Sequence, residues 1–299
     1  MSGTSIKIIA LILMTIDHIG EYFPVFPLWF RWLGRLSAPL FFFMATEGIV
    51  KTKDAKKYLS RLYLGGNILT FASYILPEIF GKFGYAFDFP RYNIFTSIFH
   101  GTFVIYILEI KKRDRKKGEK YLIMYICCQI IHFIWLYLWG NCISSALSSF
   151  NLHLFPIIYD LPTHILPSIL GSVWSASGSI YLIYMTVLFY YCNNNKMQLA
   201  IGYSLYCLIY FLLWTTELPI ILRPYIITNQ LTADFYVPTI WKSDSFTISL
   251  LTQNCQWMMI FALPIMLMYN GEKGKGYKPL FYIYYPLHLF IIKLVQCIL

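Results

Sequence analysis

Apolar runs of about 20 residues, each long enough to cross a hydrocarbon layer about 30 Å thick as an α-helix, recur along this 299-residue chain. In lipid no water is present to pair exposed backbone groups, so a spanning chain must be helical or close into a barrel. The runs are continuous rather than alternating, which excludes the barrel. Only 13% of residues are charged and the mean hydropathy is +0.58, whereas a soluble domain carries about 25% charged residues. The expected fold is all-α: one integral membrane domain over residues 1–299, a transmembrane helical bundle of about nine spans. Pro, Gly and charged clusters place these near 5–22, 29–50, 59–80, 93–110, 121–139, 172–192, 197–217, 246–269 and 279–298. The stretch near 145–170 is apolar but broken by Pro156, Pro162 and Pro167. It reads as a broken or re-entrant segment, which at membrane depth must line a cavity or be covered by protein.

A net charge of +10 raises the question of nucleic acid. The basic residues answer it by their position in short loops between apolar runs, the pattern that orients membrane proteins. In a nine-span arrangement, 17 of the 24 Lys and Arg fall on one side: Lys7 and the stretches 51–61, 111–120, 193–196 and 271–278. The N-terminus is therefore expected in the cytoplasm, the C-terminus outside, and the chain in the cell membrane with no nucleic-acid partner. The first apolar run starts at once and lacks a small-residue cleavage motif, so it reads as a retained span. The seven Cys show no metal-ligand spacing and read as small apolar helix residues.

Ionisable side chains inside the spans carry the functional signal, because each costs at least about 2.5–3.5 kcal/mol at the bilayer centre. Asp17 and His18 stand side by side in "ILMTIDHIGEYF". Adjacent helical residues point about 100° apart, so one faces a cavity and the other a neighbouring helix. An acid that polarises an imidazole suits general-base chemistry; the plainer alternative is a polar pair bonding the next span. In the second span Arg31 and Arg35 lie one turn apart on one face. Arg31 reads as an interfacial residue snorkelling past Trp29 and Trp32. Arg35, deeper, either pairs with Asp17 or binds an anion. Glu47 is either a binding residue or a solvated helix-end charge.

In the fourth span Asn93, Thr96, Ser97 and His100 form one polar stripe, which must face protein or water rather than lipid; helix packing is the alternative. Asn67 in the third span reads first as packing. His288 in the last span follows Pro286, whose missing N–H frees a carbonyl, and lies about one turn from Tyr284 and Tyr285. Gln253, Asn254 and Gln256 are polar and suit the same cavity. His132, His153 and His164 lack ligand spacing, and no metal site is expected. HExxH, GxSxG and phosphate-loop motifs are absent.

Four stretches together resemble the TraX family: "IKIIALILMTIDHIG", "WLGRLSAPLFFFMATEGIVKTKDAKKYLSRL", "YNIFTSIFHGTFVIYILE" and "FYIYYPLHLFIIKLV". They cover about the first 110 residues and the last 20 in the family's order, and the DH-in-helix, GR…P…EG and YP-x-H elements carry the match. Before the sixth span this chain has "WSASGSIYLIYM" where family members tend to show a Tyr-Gly element. The family is named for a conjugative-pilus protein that acetylates the N-terminus of pilin, and it is similar, more distantly, to membrane acyltransferases that use coenzyme A. Asp17, His18, Arg35, Glu47 and His288 match its pattern.

The resemblance implies an acetyltransferase that takes acetyl-coenzyme A as donor and a peptide or glycan as acceptor. The residues then divide into His18 or His288 as base, Asp17 orienting an imidazole, and Arg35, His100, Asn93 and Glu47 binding substrate or donor. Basic cytoplasmic loops would attract the coenzyme A phosphates. Two other classes remain open on the residues alone. One is a transporter whose buried charges relay protons or bind an anion; the other is a structural subunit of a conjugation or secretion apparatus.

Overall fold

A computed structural model describes residues 1–90, 94–139, 165–173, 179–192, 195–215, 250–251, 255–276 and 278–298. Among them the chain is helical, with no strand. Among the described residues five helical segments are long and apolar enough to cross a membrane: Gly3–Tyr22, Trp29–Lys51, Ile94–Arg113, Arg115–Leu138 and Leu280–Ile298. Shorter apolar helices lie at Tyr181–Cys192, Lys196–Leu212 and Cys255–Leu267. The chain divides into two compact units, Met1–Met44 with Tyr191–Tyr277, and Ala45–Tyr190 with Lys278–Leu299.

The first unit opens with α1, Gly3–Tyr22. Its first N–H groups have no partner within the helix. Gly3 and Thr4 donate theirs to the carbonyls of Glu272 and Lys273, at 2.8 and 3.0 Å. The hydroxyl of Thr4 donates to the carbonyl of Lys275 at 2.6 Å. Gly274, at φ +74°, lets this loop close over the helix start: a Cβ there would stand 2.5 Å from Ser2 Oγ. Gly3, Ile6, Ala10 and Met14 form the buried stripe of α1 at intervals of three and four, and Asp17 continues it.

The span expected as one helix over 29–50 is interrupted. It consists of α2, Trp29–Gly34, and α3, Ser37–Lys51, with a turn at Arg35 and Leu36. Pro39 supplies the cause, since it has no N–H for the carbonyl of Arg35 and its ring crowds that carbonyl. The described part of the expected span 246–269 is also irregular: a 3₁₀ helix at Cys255–Ala262 and a short α-helix that starts beside Pro264.

The second unit is built on α4, Ala55–Lys82, α5, Ile94–Arg113, and α6, Arg115–Leu138. Asp54 and Asp114 cap α4 and α6 by accepting from Lys57 N at 2.9 Å and Lys117 N at 3.0 Å. Leu59 of α4 and Ile105 of α5 form a buried cluster with Ile49 of α3 and Tyr190. A short helix, α7, Leu166–Ile169, leads into the irregular residues 170–173. The following helix, α8, is Ser179–Cys192; a Cβ on Gly101 would stand 2.5 Å from the hydroxyl of Thr186 on it. The last helix, Lys278–Ile298, lays Tyr282 and Tyr285 against Phe95.

The expected re-entrant segment lies mostly outside the described residues, but its end is visible. Tyr63 donates to the carbonyl of Ile169. Gln129 donates to the carbonyl of Gly171 at 3.1 Å and accepts from Val173 N at 2.7 Å. His100 reaches the carbonyl of Ser172 at 3.1 Å. Side chains of three helices thus pair the backbone groups of an irregular stretch, as apolar surroundings require.

Candidate active site

Asp17 and Arg35 meet in the first unit. Arg35 Nη2 donates to both carboxylate oxygens of Asp17, at 2.7 and 2.8 Å. The rest of this guanidinium is also engaged: Nε with the carbonyl of Arg31 at 3.2 Å and Nη1 with Gln256 Oε1 at 3.0 Å. Of the two roles open to Arg35, the geometry displays the pairing with Asp17. Gly34 makes it possible, because a Cβ there would fall 2.1 Å from Asp17 Cβ. Two helices approach this closely only where one side chain is missing.

Arg31 does more than snorkel. Its Nη1 lies 2.8 Å from Asp17 Oδ1, 2.8 Å from Glu21 Oε2 and 3.1 Å from the carbonyl of Asp17. Glu21 is a member of the cluster that sequence reasoning missed. Its signal was available: Glu21 is four residues beyond Asp17 and so on the same helix face.

His18 sits beside these charges. One of its ring nitrogens and carboxylate oxygens of Asp17 and Glu21 lie within 4.8 Å of one another. Its ring is 6.1 Å from that of Tyr22. The three side chains have the types and spacing of a metal site, but both oxygens of Asp17 already accept from arginine. A cation would have to displace two guanidinia, so the donor set fits an ion-pair network rather than a metal.

The other expected residues belong to the second unit. His100 is fully buried, its Nε2 against the carbonyl of Ser172 and its Nδ1 3.0 Å from the Tyr125 hydroxyl. A carbonyl only accepts, so Nε2 carries the proton and Nδ1 accepts from Tyr125. His100 borders a small cavity of about 10 Å³ lined also by Tyr63, Asn67, Thr96, Phe99, Ser168 and Gly171. Tyr125, Gln129 and Ser172, which hold its surroundings, were not singled out in the sequence; nothing local marks them.

His288 is buried, with Nδ1 2.9 Å from the carbonyl of Tyr284 and the Tyr284 ring stacked on it. A carbonyl only accepts, so Nδ1 carries a proton here. Glu47 is buried, with its carboxylate 2.5 Å from Lys51 Nζ. This is a sheltered ion pair rather than the solvated charge that a helix end suggests. His132 is buried on α6. Asn93, His153, His164, Gln253 and Asn254 lie outside the described residues.

Comparison with known proteins adds a family. The family model described as "TraX protein" matches residues 2–216 and 229–296. A curated relative, "Probable fimbrial assembly protein FimC, serogroup H1" of Dichelobacter nodosus, is 37% identical over 71 residues, which are 22% of this chain and 29% of the relative. The chain thus spans less than a third of the length of that relative. No solved structure matches.

Proposed function

The chain belongs to the TraX family, and from that premise we propose that it is an integral membrane acyltransferase. It moves an acetyl group from acetyl-coenzyme A to an amine or hydroxyl of a peptide or glycan acceptor. The observation that carries this reading is the cluster on α1 and α2, where His18 stands beside a carboxylate bound by two arginines. Such a concentration of charge in membrane helices costs several kcal/mol and is retained where it works. The similarity to a protein named for fimbrial assembly supports a pilin-like acceptor.

In the proposed reaction an imidazole takes the proton from the acceptor as its nitrogen or oxygen attacks the thioester carbonyl. The new C–N or C–O bond forms, the C–S bond breaks, and the imidazolium returns its proton to the coenzyme A thiolate. His18 is the first choice for the base, next to the Asp17 carboxylate. His288 is the second, a buried imidazole whose Nδ1–H the Tyr284 carbonyl orients. Asp17 and Arg35 keep the cluster assembled; Glu47 with Lys51, and the polar stripe of His100 and Asn93, bind donor or acceptor. No metal takes part. The arrangement in the cell membrane is nine spans, with the N-terminus and the basic loops facing cytoplasmic coenzyme A and the C-terminus outside.

The test is transfer of labelled acetyl from acetyl-coenzyme A by purified protein, with mass spectrometry of surface peptides and glycans to find the acceptor. His18→Ala should lower turnover by about 10²–10⁴ in folded protein. Wild-type turnover in both His18→Ala and His288→Ala would end this mechanism. Coenzyme A-independent uptake into proteoliposomes would favour a transporter instead.

A further inference from the structure

Arg31 and Arg35 touch the same carboxylate but are used differently. Arg35 is spent: Nε, Nη1 and Nη2 all donate within the protein. Among the described residues Arg31 makes its hydrogen bonds and ion pairs through Nη1. Among the described residues its Nε and Nη2, the edge that grips carboxylate or phosphate with two parallel bonds, have no partner.

The two acids differ as well. Asp17 is largely buried and cannot leave without stranding Arg35. Glu21 is 42% exposed, and among the described residues its hydrogen bond is from Arg31 Nη1, at 2.8 Å. A rotation of its side chain carries it into solvent. We propose that Arg31 forms an oxyanion-binding site beside His18, with Glu21 as its internal placeholder, displaced when a phosphate or carboxylate binds.

Charge supports the exchange. Asp17, Glu21, Arg31 and Arg35 cancel one another, and an incoming oxyanion that replaces Glu21 keeps the buried part of the cluster balanced. Glu21 gives up one charge-assisted hydrogen bond and recovers hydration, while the ligand gains the Nε and Nη2 donors that Glu21 does not use. Trp29, exposed at the start of α2, is the residue type that marks the headgroup level. Lipid phosphate and the phosphate or carboxylate of a soluble molecule are therefore two sources of one chemistry. Binding here does not depend on whether an acyl group is transferred.

The test uses the full chain in maltoside micelles, which contain no phosphate. One arm titrates inorganic phosphate by calorimetry; the other counts bound phosphatidylglycerol by native mass spectrometry. Saturable binding is expected in at least one arm, and the arm that responds identifies the source. Arg31→Gln should weaken it about tenfold or more, and Arg31→Lys, which keeps the charge but loses the planar edge, should weaken it less. Glu21→Gln should tighten it about threefold or more, a gain that misfolding does not produce. Binding in neither arm, equal binding by Arg31→Gln, or no gain in Glu21→Gln would overturn the proposal.

Discussion

Arg35 holds both carboxylate oxygens of Asp17 through a single nitrogen, at 2.7 and 2.8 Å, from 18 residues away in the chain. This pair sets what Asp17 does. Its oxygens lie against guanidinium, which anchors Asp17 on α1 to Arg31 and Arg35 at the second helix.

Breaking the pair from one side should be worse than removing it. Asp17→Asn leaves two guanidinia without their anion, and a loss of about 3–5 kcal/mol is expected. Arg35→Gln should cost a similar amount by stranding the carboxylate. The double variant should be more stable than the sum of the two losses, read from thermal unfolding in micelles. Strict additivity would mean that the two side chains do not interact.

Gly34 should be intolerant of a side chain. Gly34→Ala puts a methyl 2.1 Å from Asp17 Cβ, and separating the helices should cost about 1–3 kcal/mol or more and loosen the Arg35 contact. Gly81→Ala is the control: its Cβ meets nothing within 4 Å. That change should be neutral or stabilising by up to about 1 kcal/mol. Equal melting temperatures for the two variants would contradict the close approach.

The grip on residues 169–173 should be visible in hydrogen exchange. Gln129→Leu removes the acceptor for Val173 N and the donor to Gly171, leaving two backbone groups unpaired at about 1–3 kcal/mol each. The Val173 amide should exchange faster while amides in the middle of α5 do not. His100→Phe, which keeps a ring but loses the donor to Ser172, should act on the same stretch. Unchanged exchange in both variants would mean that these side chains do not hold it.

Orientation has a direct test. A Cys placed at Arg115, at the start of α6 in the most basic loop, should resist impermeant reagents in intact cells and react after lysis. Labelling from outside would invert the topology.

The helical class was legible in the sequence because a continuous apolar run in lipid has one way to pair its own backbone. The caps at Asp54 and Asp114 and the break before Pro39 are local chemistry too, although the break was read through as one span. Asp17, His18 and Arg35 stood out because intramembrane charge is rare. Partners were a different matter. Nothing in the chain chose between Arg35 bound to Asp17 and Arg35 open to an anion; the approach of α1 to α2 at Gly34 chose. Arg31 looked interfacial until Glu21 and Asp17 were seen on one of its nitrogens. His100 gave no sign that its ring would meet a carbonyl 72 residues away. A residue's own neighbours in sequence encode whether it is buried and on which face. Which group it meets there depends on how closely two helices pack, and that distance is set by side chains, or their absence, elsewhere in the chain.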